Sequence, residues 1–140
     1  MERWVVYAVA SMVFAGFTSV VAKQGLDGIS GELGLAVRTV FVAGFVFAFA
    51  AGFVPRADVA TLTTKNLFWL GLSGATTAAS WVFYYKALAA GEVSTVALID
   101  KGSFVVAVVL AWAVLGEKVT PRTAVGAALV LAGLLVAAKR

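Results

Sequence analysis

Apolar residues in this chain run in long, nearly unbroken stretches, without the strict alternation of a half-buried strand or the one-sided stripe of a surface helix. Five stretches approach or reach the roughly 17–25 residues that cross about 30 Å of hydrocarbon as a helix. They run from Trp4 to Ala22, Leu33 to Val54, Leu67 to Ala90, Val93 to Leu115 and Pro121 to Ala138. At about 1.5 Å per residue each spans on the order of 27–36 Å, enough to cross once with modest tilt. The pattern predicts an all-α integral membrane protein with five transmembrane helices in a single domain over residues 1–140.

Polar and turn-forming residues fall between those stretches. Gly25, Asp27, Gly28, Ser30 and Gly31 form the first loop, with Ser30 placed to cap the next helix and Glu32 near its positive end. Pro55 closes the second helix and opens the longest loop, which carries Arg56, Asp58, Thr61, Thr63, Thr64, Lys65 and Asn66. Gly91 and Glu92 are nearly all that separates the third and fourth helices, which predicts antiparallel neighbours. Gly116 to Pro121 ends the fourth helix and starts the fifth, with Thr120 as N-cap and Pro121 as its first residue. Arg3 ahead of an apolar run imitates a secretory signal, but that run is longer than the roughly 7–15 residues of a signal core and four more follow, so it reads as a retained helix.

Composition agrees: 62% of the residues are hydrophobic and only 13% charged, against about 25% charged in a soluble domain. The chain has no cysteine and no histidine. Disulfide scaffolds, the common zinc sites and catalysis by cysteine or histidine are thereby excluded, and the chain reads as a non-enzyme with no cofactor and no metal. The net charge is +4, yet the basic residues stand singly and form no patch for nucleic acid.

Five crossings put the two termini on opposite sides. One side holds Arg3, Arg56, Lys65, Lys118 and Arg122; the other holds Lys23, Lys139 and Arg140, joined by Arg38 and Lys86 if residues just inside helix ends are counted. The positive-inside rule then discriminates weakly. Insertion in both orientations would let two copies pair antiparallel; insertion one way, with the N-terminal side cytoplasmic, is the other reading.

Arg38 in the second helix, Lys86 in the third, and Asp100 and Lys101 in the fourth interrupt the spans. Each would cost about 2.5–3.5 kcal/mol facing lipid at mid-bilayer, so protein or water must receive them. All four lie toward the same side of the membrane. Folding the third and fourth helices about Gly91 sets Lys86 within a helical turn of Asp100, while Lys101 projects about 100° away from Asp100. Ser103, Ala107 and Ala111 share the Asp100 face, and Trp81, Tyr84 and Tyr85 supply amphipathic rings nearby. As a substrate site these residues would be lining and coupling groups. As plain structure, Arg38 and Lys86 snorkel, Asp100 neutralises a lysine and the rings belong to an interfacial belt. Small residues repeat at Gly44, Ala48 and Gly52, at Gly74 and Ala78, and at Ala128 and Ala132, where Gly126 and Gly133 add a heptad spacing; the stripes predict close helix packing, either inside the chain or at a dimer face.

Ile99-Asp100-Lys101, then Leu115-Gly116-Glu117-Lys118-Val119-Thr120, Gly126-Ala127 and Leu131-Ala132-Gly133 resemble, in order and spacing, the end of an EamA domain of the drug/metabolite transporter superfamily. Phe14-Ala15-Gly16 with Lys23, Arg38, and Tyr84-Tyr85-Lys86-Ala87-Leu88 with Gly91 resemble its first three helices. The resemblance implies one half of a ten-helix inverted-repeat transporter that works by alternating access. With one such domain, the functional unit would be an antiparallel homodimer or a pair with a paralogous chain, in a prokaryotic inner or plasma membrane. The expected partners are therefore the lipid bilayer, a second chain and a small polar solute. Three cations against one carboxylate favour an anionic or zwitterionic solute. The rival expectation is a non-transporting membrane subunit of a larger complex.

Overall fold

The computed structural model describes residues 2–138. Its helices are α1 (Arg3–Gly25), α2 (Gly31–Phe53), α3 (Arg56–Val59), α4 (Thr64–Ala90), α5 (Val93–Asp100), α6 (Ser103–Leu115) and α7 (Pro121–Ala138), with no strand among the described residues. Lys139 and Arg140, which entered the charge balance above, lie outside that range.

Among the described residues three stretches are long and apolar enough to cross a membrane: Arg3–Gly25, Gly31–Phe53 and Val93–Leu115, each with a mean hydropathy of 2.0. The 27-residue α4 is longer but carries Ser73, Thr76, Thr77, Ser80 and Lys86. Two of its hydroxyls are satisfied within the helix, Thr76 donating to the carbonyls of Leu72 (3.1 Å) and Ser73 (2.9 Å) and Thr77 to that of Ser73 (2.8 Å). This back-bonding lets a hydroxyl sit in an apolar setting without a partner from outside.

Helix ends follow local chemistry more than hydropathy. The Ser30 hydroxyl accepts from the Leu33 N–H at 3.2 Å, and the Thr120 hydroxyl accepts from the Thr123 N–H at 3.2 Å, so both expected caps form. In the long loop, Asn66 N–H donates to the Thr63 hydroxyl and Thr63 N–H to the Asn66 side-chain oxygen, both at 3.2 Å. That reciprocal cap starts α4 at Thr64, three residues ahead of the apolar run. The same loop winds into α3 after Pro55. Gly116 adopts φ 69° while Glu117 N–H reaches back to the Ala111 carbonyl at 3.2 Å, a left-handed stop that closes α6.

One predicted span is divided. Between α5 and α6, Lys101 N–H bonds the Leu98 carbonyl (3.1 Å) and Gly102 N–H the Ile99 carbonyl (2.9 Å), a tightened turn that interrupts the α-helical ladder. Gly102 permits it: a Cβ there would stand 3.0 Å from the Ile99 carbonyl oxygen and 3.1 Å from Leu134 Cδ1 of α7.

The chain packs as two compact units, Ala22–Ala90 and the remaining described residues. In the first, α2 and α4 run antiparallel, and all the buried side chains among the described residues, Leu26, Tyr85 and Leu88, lie at one end of the pair. A Cβ on Gly31 would stand 2.5 Å from the Tyr85 carbonyl oxygen, so only glycine admits this backbone approach. In the second unit, α5 and α6 pack on α7. The close approaches thus occur at Gly31, Gly34 and Gly102, whereas a Cβ added at Gly44, Gly52, Gly74, Gly126 or Gly133 of the small-residue stripes would meet no atom of another element within 4 Å. At those glycines the stripes are left open within the chain. Phenylalanines such as Phe41, Phe45 and Phe47 point outward, as suits helices whose surroundings are hydrocarbon.

Candidate functional site

The end of unit Ala22–Ala90 where α2 begins and α4 finishes is built by two facing helical stripes. Gly31, Leu35 and Arg38 recur on one face of α2, and Trp81, Tyr85 and Leu88 on one face of α4, at the spacing that aligns side chains along a helix. The Gly31 approach brings these stripes together. Arg38 Cζ lies 4.4 Å from the centre of the Trp81 ring and 5.8 Å from that of Tyr85. A guanidinium over an indole face is held by the ring quadrupole, worth about 0.5–2 kcal/mol depending on desolvation. Tyr84 meets Tyr85 edge to face with centroids 6.1 Å apart.

Burial here is unequal. Tyr85 is only 4% exposed and Arg38 is half-buried, and both the Tyr85 hydroxyl and Arg38 Nη1 are buried without a hydrogen-bond partner among the described residues. Around them the polar groups are engaged. Lys86 Nζ is 3.2 Å from Glu32 Oε1. Lys23 Nζ donates to the carbonyls of Leu88 (2.6 Å) and Ala89 (3.2 Å), placing a cation on the negative end of α4.

Asp100 and Lys101 belong to the other unit. Asp100 ends α5, Lys101 follows in the tightened turn, and their charged groups stand 3.8 Å apart. Consecutive helical residues project about 100° apart, and the long, flexible lysine stem closes that gap. Ser103 opens α6 with its side chain exposed. Ala107 and Ala111, further along that face, line an open groove of about 250 Å³ with Trp112, Glu117, Lys118 and Thr123.

Of the residues singled out in the sequence, the structure gathers Arg38, Trp81, Tyr84 and Tyr85 into one cluster with Lys86 one residue further along α4. Asp100, Lys101 and Ser103 gather at the α5–α6 break. Sequence reasoning missed two participants. Glu32 was marked only as a favourable neighbour of a helix start, although two antiparallel helices joined by the long loop bring residues 32 and 86 to one end. Lys23 enters the sequence reading through the charge balance and the family resemblance and not as a packing contact, although it closes the first loop against the last turn of α4.

The cluster sets a guanidinium against two aromatic rings, with two buried hydrogen-bonding groups that have no partner among the described residues. Residues 2–138 match the EamA-like transporter family. A protein of a Sinorhizobium species described as an "uncharacterized transporter in cobO 3'region" is 32% identical to this chain over 137 residues, 98% of this chain and 97% of its own. No solved structure matches. With apolar helices long enough to span a bilayer and a family match that runs nearly end to end, the chain is an integral membrane protein and belongs to the EamA-like transporter family.

Proposed function

We propose that the protein is a secondary transporter of small anionic or zwitterionic metabolites that works by alternating access as a pair of single EamA domains. Each domain contributes five spans, with α5 and α6 together making the fourth and α7 the fifth. The observation that carries the reading is the family match over residues 2–138, joined by a relative that is matched over 97% of its own length and is itself described as a transporter. The match over 97% of that relative's own length supports pairing of two such chains as the route to ten helices. The near-balanced Lys and Arg distribution favours two copies in opposite orientations, in a prokaryotic inner or plasma membrane.

Roles follow from the geometry. The Arg38, Trp81 and Tyr85 cluster supplies attraction for a negative group. Asp100 and Lys101 stand at a break in an otherwise apolar span, and such breaks bind ions or solutes in transporters because they expose backbone groups where the surroundings are dry. Their mutual neutralisation leaves either partner available to the solute. Reconstitution of the purified chain into vesicles, with accumulation of radiolabelled amino acids and carboxylates driven by an imposed proton or sodium gradient, tests this directly. Gradient-dependent accumulation reduced in Arg38→Met and Asp100→Asn is expected. Inert vesicles, with the chain recovered from its native membrane only together with a different protein, would favour a non-transporting subunit instead.

A further inference from the structure

We propose that Arg38 and Tyr85, set against the Trp81 ring, form a binding site for one oxyanion, a carboxylate or phosphate group, and that this group is the charged end of the transported solute. The inference rests on the transporter reading above and gives it a chemical class and an address.

Two unsatisfied donors carry it. Arg38 Nη1 and the Tyr85 hydroxyl are both buried and both lack a partner among the described residues, in a tyrosine only 4% exposed. Buried polar groups in folded proteins are satisfied almost without exception, and each exception calls for a cause. A guanidinium only donates and a phenol has a proton to give, so what completes the pair is an acceptor. The acceptor must also balance charge. Arg38 pairs with no carboxylate among the described residues, and Glu32, on its own helix, is taken by Lys86 at 3.2 Å. Trp81 covers one face of the guanidinium at 4.4 Å, which leaves approach in the plane of the fork, where the N–H groups point and where a carboxylate or phosphate binds through two oxygens. Tyr85 is anchored by its position one turn beyond Trp81 and beneath the Gly31 approach, so the phenol is preorganised before any ligand arrives.

The same acceptor chemistry is offered by a solute and by the phosphate of an acidic lipid, and the test separates them. The full chain, purified in neutral detergent, is titrated calorimetrically with glutamate, succinate and inorganic phosphate. In parallel its thermal unfolding is followed in phosphatidylcholine nanodiscs with and without phosphatidylglycerol. Tyr85→Phe removes one hydroxyl and keeps the ring. Saturable binding of at least one soluble probe is expected, weakened about tenfold in Tyr85→Phe, as for loss of a hydrogen bond to a charged group, and abolished in Arg38→Met. Unliganded Tyr85→Phe should unfold no earlier than the parent, because the hydroxyl it lacks has no partner among the described residues. Stabilisation by phosphatidylglycerol alone, lost in Tyr85→Phe, would keep the site and overturn its assignment to the solute. Absence of binding in every arm, or equal affinity in Tyr85→Phe, would overturn the site itself. Uptake of the bound probe into vesicles is read separately. Binding without uptake removes the transport reading and leaves the site, whereas uptake indifferent to both variants removes the site and leaves transport.

Discussion

Among the described residues two lysines meet a carboxylate, Lys86 and Lys101, and the surroundings of the two pairs have little in common. Lys86 and Glu32 stand 3.2 Å apart on different helices, 54 positions apart in sequence, over a backbone contact so close that Gly31 cannot gain a Cβ without shifting α4. Lys101 and Asp100 are sequence neighbours, 3.8 Å apart, at a place where the helix itself gives way. The first pair reports the register of α2 against α4 and sits in the unit that contains every buried side chain among the described residues. The second joins neighbours on one stretch of chain and reports no packing between helices. Under the proposed function the contrast gives the two regions different work: the α2–α4 corner recognises the solute, and the α5–α6 break changes shape during the cycle.

Four changes break or sharpen that comparison, taken from the largest expected effect downward. Gly31→Val should be the most damaging, since overpacking against backbone costs about 1–3 kcal/mol or more. A large fall in thermal stability in detergent is expected, and retention of the parent's stability would mean that α2 and α4 do not meet as described. Arg38→Lys keeps the charge but loses the fork and the stacked plane, so half-saturation for transport should rise about tenfold with little change in maximal rate. A fall in rate alone would move Arg38 out of recognition and into the cycle. Asp100→Asn should do the reverse, lowering the rate severalfold while binding at the Arg38 corner stays as it was; lost binding would merge the two regions into one function. Glu32→Gln should have the smallest effect, because the pair is more than half exposed and such bridges contribute little. Its register is checked separately by a short bis-maleimide joining Cys placed at Glu32 and Lys86, a clean test in a chain with no cysteine of its own.

Much of this was legible in the sequence, for reasons that differ by element. Apolar run length located the helices because nothing else in the chain is long and uncharged, and Ser30 and Thr120 announced their caps because capping is local chemistry. Thr63 and Asn66 escaped notice as a reciprocal cap since hydropathy says nothing inside a polar loop. The interruption at Lys101-Gly102 was hidden for the opposite reason: one glycine in a strongly apolar span does not disturb its hydropathy, and the room that Leu134 leaves there only for glycine is a property of the packed helices. Small-residue spacing pointed at Gly44 and Gly52, while the contacts fell at Gly31, Gly34 and Gly102. Spacing along one helix cannot say which face a neighbour will choose. Arg38, Trp81 and Tyr85 were each visible as candidates, but their meeting depends on the α2–α4 register, a property of two segments together.

The account stands on two copies of one domain assembling in opposite orientations, and one labelling experiment reads that most directly. Asp27 lies exposed in the loop between α1 and α2, and replacing it leaves the Ser30 cap intact. With Asp27→Cys as the sole cysteine, intact and lysed cells are treated with a membrane-impermeant maleimide. Labelling of intact cells near half of that after lysis is the predicted result, since both orientations would then coexist. Labelling that is complete or absent in intact cells would show a single orientation and contradict the antiparallel pair of identical chains.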